Sequence, residues 1–118
     1  SQINLDNHQE KLLFVRGKSS SMFLETIIKD LSIGFPSLIK NLDELEFVEE
    51  RRWNLKLKNN LLIKLPDENI QKSLSNLKSL FENQKVMESN IIEIDMRIQG
   101  RASIKILDSK LNFGIDEI

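Results

Sequence analysis

The sequence contains no cysteine. Disulfides, thiolate metal sites and thiol nucleophiles are therefore excluded, while the compartment stays open, since cysteine-free chains suit both periplasm and cytoplasm. There is one histidine, His8, in a polar N-terminal stretch. A lone histidine without neighbours at ligand spacing builds no zinc site, so His8 reads as an exposed loop residue. Only four glycines occur, widely spaced, and no glycine-rich phosphate loop is formed. Neither charge sign dominates, with 17 basic and 18 acidic residues and a net charge of -1. The one basic pair, Arg51-Arg52, follows Glu49-Glu50, so the basic stripe that phosphate recognition requires is missing. No apolar run approaches the ~20 residues of a membrane span, and no signal-peptide pattern opens the chain.

What is present is ordinary globular material: 118 residues, 40% hydrophobic and 30% charged. That suits one domain with a core of its own. The carboxylates Asp43, Glu44, Glu46, Glu49 and Glu50 spread over a loop and a strand start. They read as a solvated acidic surface, because acid–base chemistry needs two carboxyls at a set separation in a cleft. No catalytic constellation, cofactor motif or small-molecule site emerges.

The hydrophobic pattern alternates between two periods. Residues 1–10 are polar and turn-like, and Leu12-Leu13-Phe14-Val15 suggests a short strand ending at Gly17. Ser19, Ser20 and Ser21 offer N-caps for a helix carrying Phe23, Ile27 and Leu31 at helical spacing. Gly34 and Pro36 stop that helix. From Leu45 the period changes, and Trp53, Leu55 and Leu57 alternate with polar residues, as do Leu61, Ile63 and Leu65. Parity requires a three-residue loop, Lys58-Asn59-Asn60, pairing Leu57 with Leu61 and Leu55 with Ile63. Asn60 then takes a left-handed backbone. Pro66 closes the hairpin, Asp67 is the expected cap, and Ile70, Leu74, Leu77 and Phe81 mark a second helix ending near Asn83. A second hairpin follows, expected to pair Ile98 with Ala102, Met96 with Ile104 and Ile94 with Ile106 around Gln99-Gly100-Arg101, with a β-bulge as the alternative that satisfies the same parity. Glu93 and Asp95, outward on its first strand, read as partners for nearby basic side chains. Asp108 to Ile118 reads as a tail whose anchors are Phe113, Ile115 and Ile118. The expected fold is α+β: an antiparallel sheet built of hairpins with helices packed on one face, one domain over residues 1–118.

Arg51-Arg52-Trp53 is the most distinctive cluster. Trp53 falls in register with Leu55 and Leu57, so it reads as a core residue with its arginines outside rather than as a stacking site for a base. The stretch Arg51-Arg52-Trp53-Asn54-Leu55-Lys56-Leu57-Lys58-Asn59-Asn60, closing with Leu65-Pro66, resembles the hairpin of the FtsQ family of bacterial cell-division proteins, called DivIB in Gram-positive bacteria. Ile94-Asp95-Met96-Arg97 looks like that family's hydrophobic-Asp-Leu-Arg strand, and the helix and Pro36 segment sit where the family has theirs. The family commonly has Gly where Asn60 stands. The similarity is to the periplasmic β-domain of the proteobacterial form, without the POTRA domain and membrane helix that precede it there.

The resemblance implies a non-enzymatic divisome scaffold, in a protein tethered by one span to the periplasmic side of the inner membrane. It implies binding of the FtsB–FtsL pair, and through it an indirect link to the septal peptidoglycan synthase. Partner binding then maps to the edge formed by Ile98, Gln99, Gly100, Arg101, Ala102, Ser103, Ile104, Lys105 and Ile106, by strand addition. On the expected register, Ser103 and Lys105 turn their backbone groups to the free edge, and Ala102, Ile104 and Ile106 turn theirs inward. A basic residue of the family's second helix falls near Ser73 or Asn76, neither basic, and is not carried over. The alternative reading is a general envelope protein-binding module of POTRA-like, chaperone type.

Overall fold

A computed structural model of the chain describes residues 2–6, 11–18, 20–107 and 112–114. Strands β1 (Gln2–Asp6) and β2 (Lys11–Arg16) precede helices α1 (Ser21–Gly34) and α2 (Pro36–Asn41). Strands β3 (Leu42–Val48), β4 (Arg52–Leu57) and β5 (Leu62–Lys64) follow, then helices α3 (Ile70–Glu82) and α4 (Gln84–Met87). Strands β6 (Ile91–Asp95), β7 (Ser103–Ile106) and β8 (Asn112–Gly114) complete the order. His8 and Ser19 lie outside the described residues.

All eight strands join one sheet in sequence order, β1 to β8. The sheet is mixed, which corrects the purely antiparallel expectation: β2–β3 and β5–β6 pair in parallel. Each parallel pair needs a crossover, because a tight turn cannot join parallel strands. Helices α1 and α2 carry the first crossover, and α3 and α4 the second. The α+β class stands, with two β-α-β units rather than hairpins alone.

A single register row runs through the core. Val15 stands opposite Leu45, Leu45 opposite Leu55, Leu55 opposite Ile63, Ile63 opposite Ile94 and Ile94 opposite Ile104. All six side chains are buried. The period of two keeps this row on one face, where Ile27, Leu31, Leu74 and Leu77 of the helices join the same core. The other face is polar. Lys64 Nζ lies 3.4 Å and Lys105 Nζ 4.0 Å from Glu93 Oε2, and Arg16 lies 3.4 Å from Glu44. These are the basic partners expected for Glu93.

Local signals account for most element ends. Ser20 caps α1, its Oγ accepting from the Phe23 N–H at 3.4 Å. At Gly34 a Cβ would lie 2.8 Å from Leu74 Cδ1 and 2.5 Å from Gln71 Oε1, so glycine there permits α1 to approach α3 closely. Pro36 occupies the first turn of α2, where its missing N–H costs nothing. The expected cap at Asp67 is not used; α3 starts from Asn69, a left-handed residue with φ 57° and no side-chain cap bond. Asn83 ends α3 and caps α4 by accepting from the Val86 N–H at 3.1 Å.

The first hairpin matches its expected register. Leu55 faces Ile63, the Leu57 N–H donates to Leu61 O at 2.9 Å, and Asn60 has φ 68°. Two strands in the first half of the chain depart from the sequence pattern. β1 occupies part of the supposed turn-like region, and β3 begins with a register shift between Leu42 and Glu44. That bulge puts Leu42, Leu45 and Phe47 on one face at uneven spacing, which hides the alternation.

Candidate partner-binding edge

Strands β6 and β7 meet in a register different from the expected one. Ile94 faces Ile104, Asp95 faces Ser103 and Glu93 faces Lys105. Ile98 does not pair with Ala102 in a ladder, because β6 stops at Asp95. Asp95 itself ends the strand. Its Oδ1 accepts from the Arg97 N–H at 3.0 Å and from Arg97 Nε at 2.9 Å, and its Oδ2 from Arg97 Nη2 at 2.6 Å. These bonds turn the backbone out of the sheet. Residues 98–101 then form a turn closed by the Arg101 N–H donating to Ile98 O at 3.1 Å, with Gly100 at φ 74°. Gln99 ties the turn to the segment before α3, its Nε2 donating to Glu68 O at 2.9 Å.

The direction of each backbone group follows. The Met96 N–H donates to Lys64 O at 2.8 Å, so Ile94 and Met96 turn to β5 and Glu93 and Asp95 to β7. The Leu107 N–H donates to Asn90 O at 2.9 Å. By alternation Ser103, Lys105 and Leu107 face β6, whereas Ala102, Ile104 and Ile106 face outward. This reverses the expected assignment of Ser103 and Lys105 to the outer edge.

That outer edge is also occupied. β8 pairs antiparallel with β7, placing Gly114 opposite Ser103, Phe113 opposite Ile104 and Asn112 opposite Lys105. The supposed tail therefore supplies a strand where a free edge was expected. Ile115 and Ile118, its other expected anchors, lie outside the described residues. Among the candidate residues, Ala102 and Ile104 are buried and give their side chains to the core, while Ile98 is 63% exposed at the rim. Gln99, Gly100, Arg101 and Lys105 are exposed too, and Ser103 and Ile106 are half-buried.

Beside Ile98 lies a cleft of about 420 Å³ lined by Arg51, Arg52, Pro66, Asp67, Asp95, Arg97 and Ile98. Arg52 Nη1 is 3.2 Å from Glu49, and Arg51 reaches Glu49 at 3.3 Å and Asp67 at 3.9 Å. Arg52 Nε is buried and, among the described residues, has no hydrogen-bond partner. A buried donor left unpaired is costly, which marks Arg52 as a point of local strain in the wall of the cleft. Partial burial pushes the Asp95 carboxyl up. The Arg97 side-chain and amide hydrogen bonds, with the Arg97 and Lys64 charges, outweigh it and hold Asp95 below its ordinary value. Sequence reasoning missed this cleft, because the arginines stand 45 or more positions from Arg97 in the chain and only β4–β5–β6 pairing unites them. Trp53 is buried as expected, packed on Phe47 at 4.6 Å between ring centres, with Phe47 stacked on Phe23 at 5.4 Å. Arg51 lies outside as expected, but the Arg52 side chain is only 15% exposed.

The family model for "Cell division protein FtsQ/DivIB, C-terminal" matches residues 3–97, which takes in β1 through β6. The chain belongs to the FtsQ/DivIB family. A cell division protein FtsQ of Bradyrhizobium diazoefficiens is 38% identical over 60 residues, 51% of this chain and 18% of that protein. The FtsQ of Rickettsia conorii is 28% identical over 94 residues, 80% of this chain and 35% of that protein. Both sources are proteobacteria, the type the sequence resembles. The chain thus matches about a fifth to a third of the length of these relatives. The family match stops at Arg97, so the candidate edge from Ile98 to Ile106 rests on this chain's own geometry. No helix among the described residues is long and apolar enough to cross a membrane.

Proposed function

We propose that this FtsQ-type domain is a non-enzymatic docking scaffold on the periplasmic face of the inner membrane at the division site, part of a single-span membrane protein. Its partner is the FtsB–FtsL pair, through which it connects indirectly to the septal peptidoglycan synthase. The docking surface is the β7 edge with its preceding turn, Ile98 to Ile106.

The observation that carries this reading is the exposed Ile98 standing beside the arginine cleft at the end of β6. An exposed apolar side chain next to a cleft that gathers Arg51, Arg52 and Arg97 suits an apolar anchor and an acidic group on one partner. The outward backbone groups of Ala102, Ile104 and Ile106 would supply main-chain bonds to an added strand.

Calorimetric titration with a soluble FtsB–FtsL pair tests it. Ile98→Asp should keep the fold by circular dichroism, since the side chain lies largely in solvent, and should weaken binding at least tenfold. Undiminished binding by the folded variant would rule out this edge.

A further inference from the structure

We infer that β8 is a placeholder strand: it closes the outer edge of β7 while no partner is bound, and an incoming strand gains that edge by displacing it. The inference rests on the strand-addition reading above and adds to it a competitor built into the same chain.

The pairing itself is the first observation. Phe113 stands opposite Ile104, whose backbone groups face outward, so the Ile104–Phe113 pair exchanges the main-chain bonds. A partner strand adding to β7 needs those same groups. One N–H and one C=O cannot serve both strands at full strength, so the two occupants exclude each other. The second observation is the weakness of the occupant. β8 is three residues long and ends in Gly114, a residue type depleted in strands. A short strand at a sheet margin opens at low cost. A longer partner strand, anchored besides at Ile98 and the arginine cleft, outcompetes it. Until then β8 shields β7 from pairing with a second copy of the chain, a hazard of exposed edges.

Occupancy is read without any partner, by amide hydrogen exchange in the full chain. The Ile104 N–H should be protected, and Phe113→Pro, which removes the donor facing Ile104, should make it exchange at least tenfold faster. The Met96 and Leu57 amides, bonded to Lys64 and Leu61, should not change. An Ile104 amide that exchanges equally fast in both chains overturns occupancy.

Displacement is read with a lock. Lys105 and Asn112 face each other in the pair next to the bonded one, where Cα atoms stand about 4.5 Å apart, within disulfide range. The chain has no other cysteine, so Lys105→Cys with Asn112→Cys forms one bond only. The oxidised protein should bind the FtsB–FtsL pair at least tenfold more weakly than the same protein reduced. Equal binding in both redox states, with Ile104 protected, overturns displacement and leaves β8 a permanent strand. Binding by neither state, nor by the unsubstituted chain, would instead sink the docking reading and displacement with it, while the exchange data would still decide occupancy.

Discussion

Phe113 lies directly across from Ile104, on the side of β7 away from the rest of the sheet. That pair ends the register row that begins at Val15 and crosses the core through Leu45, Leu55, Ile63 and Ile94. The candidate docking edge is therefore continuous with the core, and the residues at its centre serve both. Ile104 gives its side chain to the interior and its backbone to the edge. Side-chain substitutions at Ile104 would confuse folding with binding, whereas Ile98, outside the ladder, separates the two.

Trp53→Ala should cost about 3–5 kcal/mol, as large core truncations do, because Trp53 is 6% exposed and packed on Phe47. Urea denaturation followed by circular dichroism measures it. A loss below about 1 kcal/mol would place Trp53 in the range of surface changes and contradict its packing.

Asn60→Gly should be neutral or stabilising, since glycine takes φ 68° without a steric penalty. Asn60→Val should lose about 1–2 kcal/mol, the cost of forcing a side chain into the left-handed region. At the neighbouring position, Asn59→Ala should cost about 0.5–1.5 kcal/mol, because Asn59 Oδ1 accepts from the Leu61 N–H at 3.1 Å. Thermal melts of the three variants would order them Asn60→Gly above Asn59→Ala and Asn60→Val.

Gly34→Val should destabilise by about 1–3 kcal/mol, the usual cost of overpacking. Its Cβ would press on Leu74 Cδ1 at 2.8 Å, and Leu74 is fully buried. Pairing it with Leu74→Ala should recover part of the loss, since that change removes the obstructing methyls. Strictly additive losses in the double variant would show that the contact is not the cause.

Asp95 gives the acid side of stability a specific source. Its folded pKa is lowered by Arg97 and Lys64, so its contribution is complete above the unfolded value of about 3.9. It is lost as pH falls through the lower folded value. Asp95→Asn should flatten the stability profile between about pH 5 and the acid limit, and should release the turn at Arg97. Denaturation midpoints compared at neutral and acid pH check this; an unchanged acid slope would mean that the ion pair contributes nothing.

The sequence by itself determined the local elements whose signals lie within a few residues of each other. Serine before Phe23 and Pro36 after Gly34 bounded the first helix pair, and the i, i+4, i+7 spacing of Ile70, Leu74 and Leu77 placed α3. Parity and the tolerance of Asn for φ > 0 gave the Leu57–Asn60 turn its length. The Arg-Arg-Trp hairpin carried the family. Tertiary structure decided what depends on distant partners. The parallel pairings of β2–β3 and β5–β6 follow from where the crossover helices pack, which alternation within a strand does not encode. The β6–β7 register turned on the Asp95–Arg97 contact, which removed Ile98 from the ladder without changing the apolar parity of its neighbours. The cleft needed β4, β5 and β6 side by side before Arg51, Arg52 and Arg97 could meet. Whether the β7 edge stands open was decided by Asn112–Gly114, three residues too few to show a period, whose strand conformation comes from the backbone groups that Ile104 presents to them.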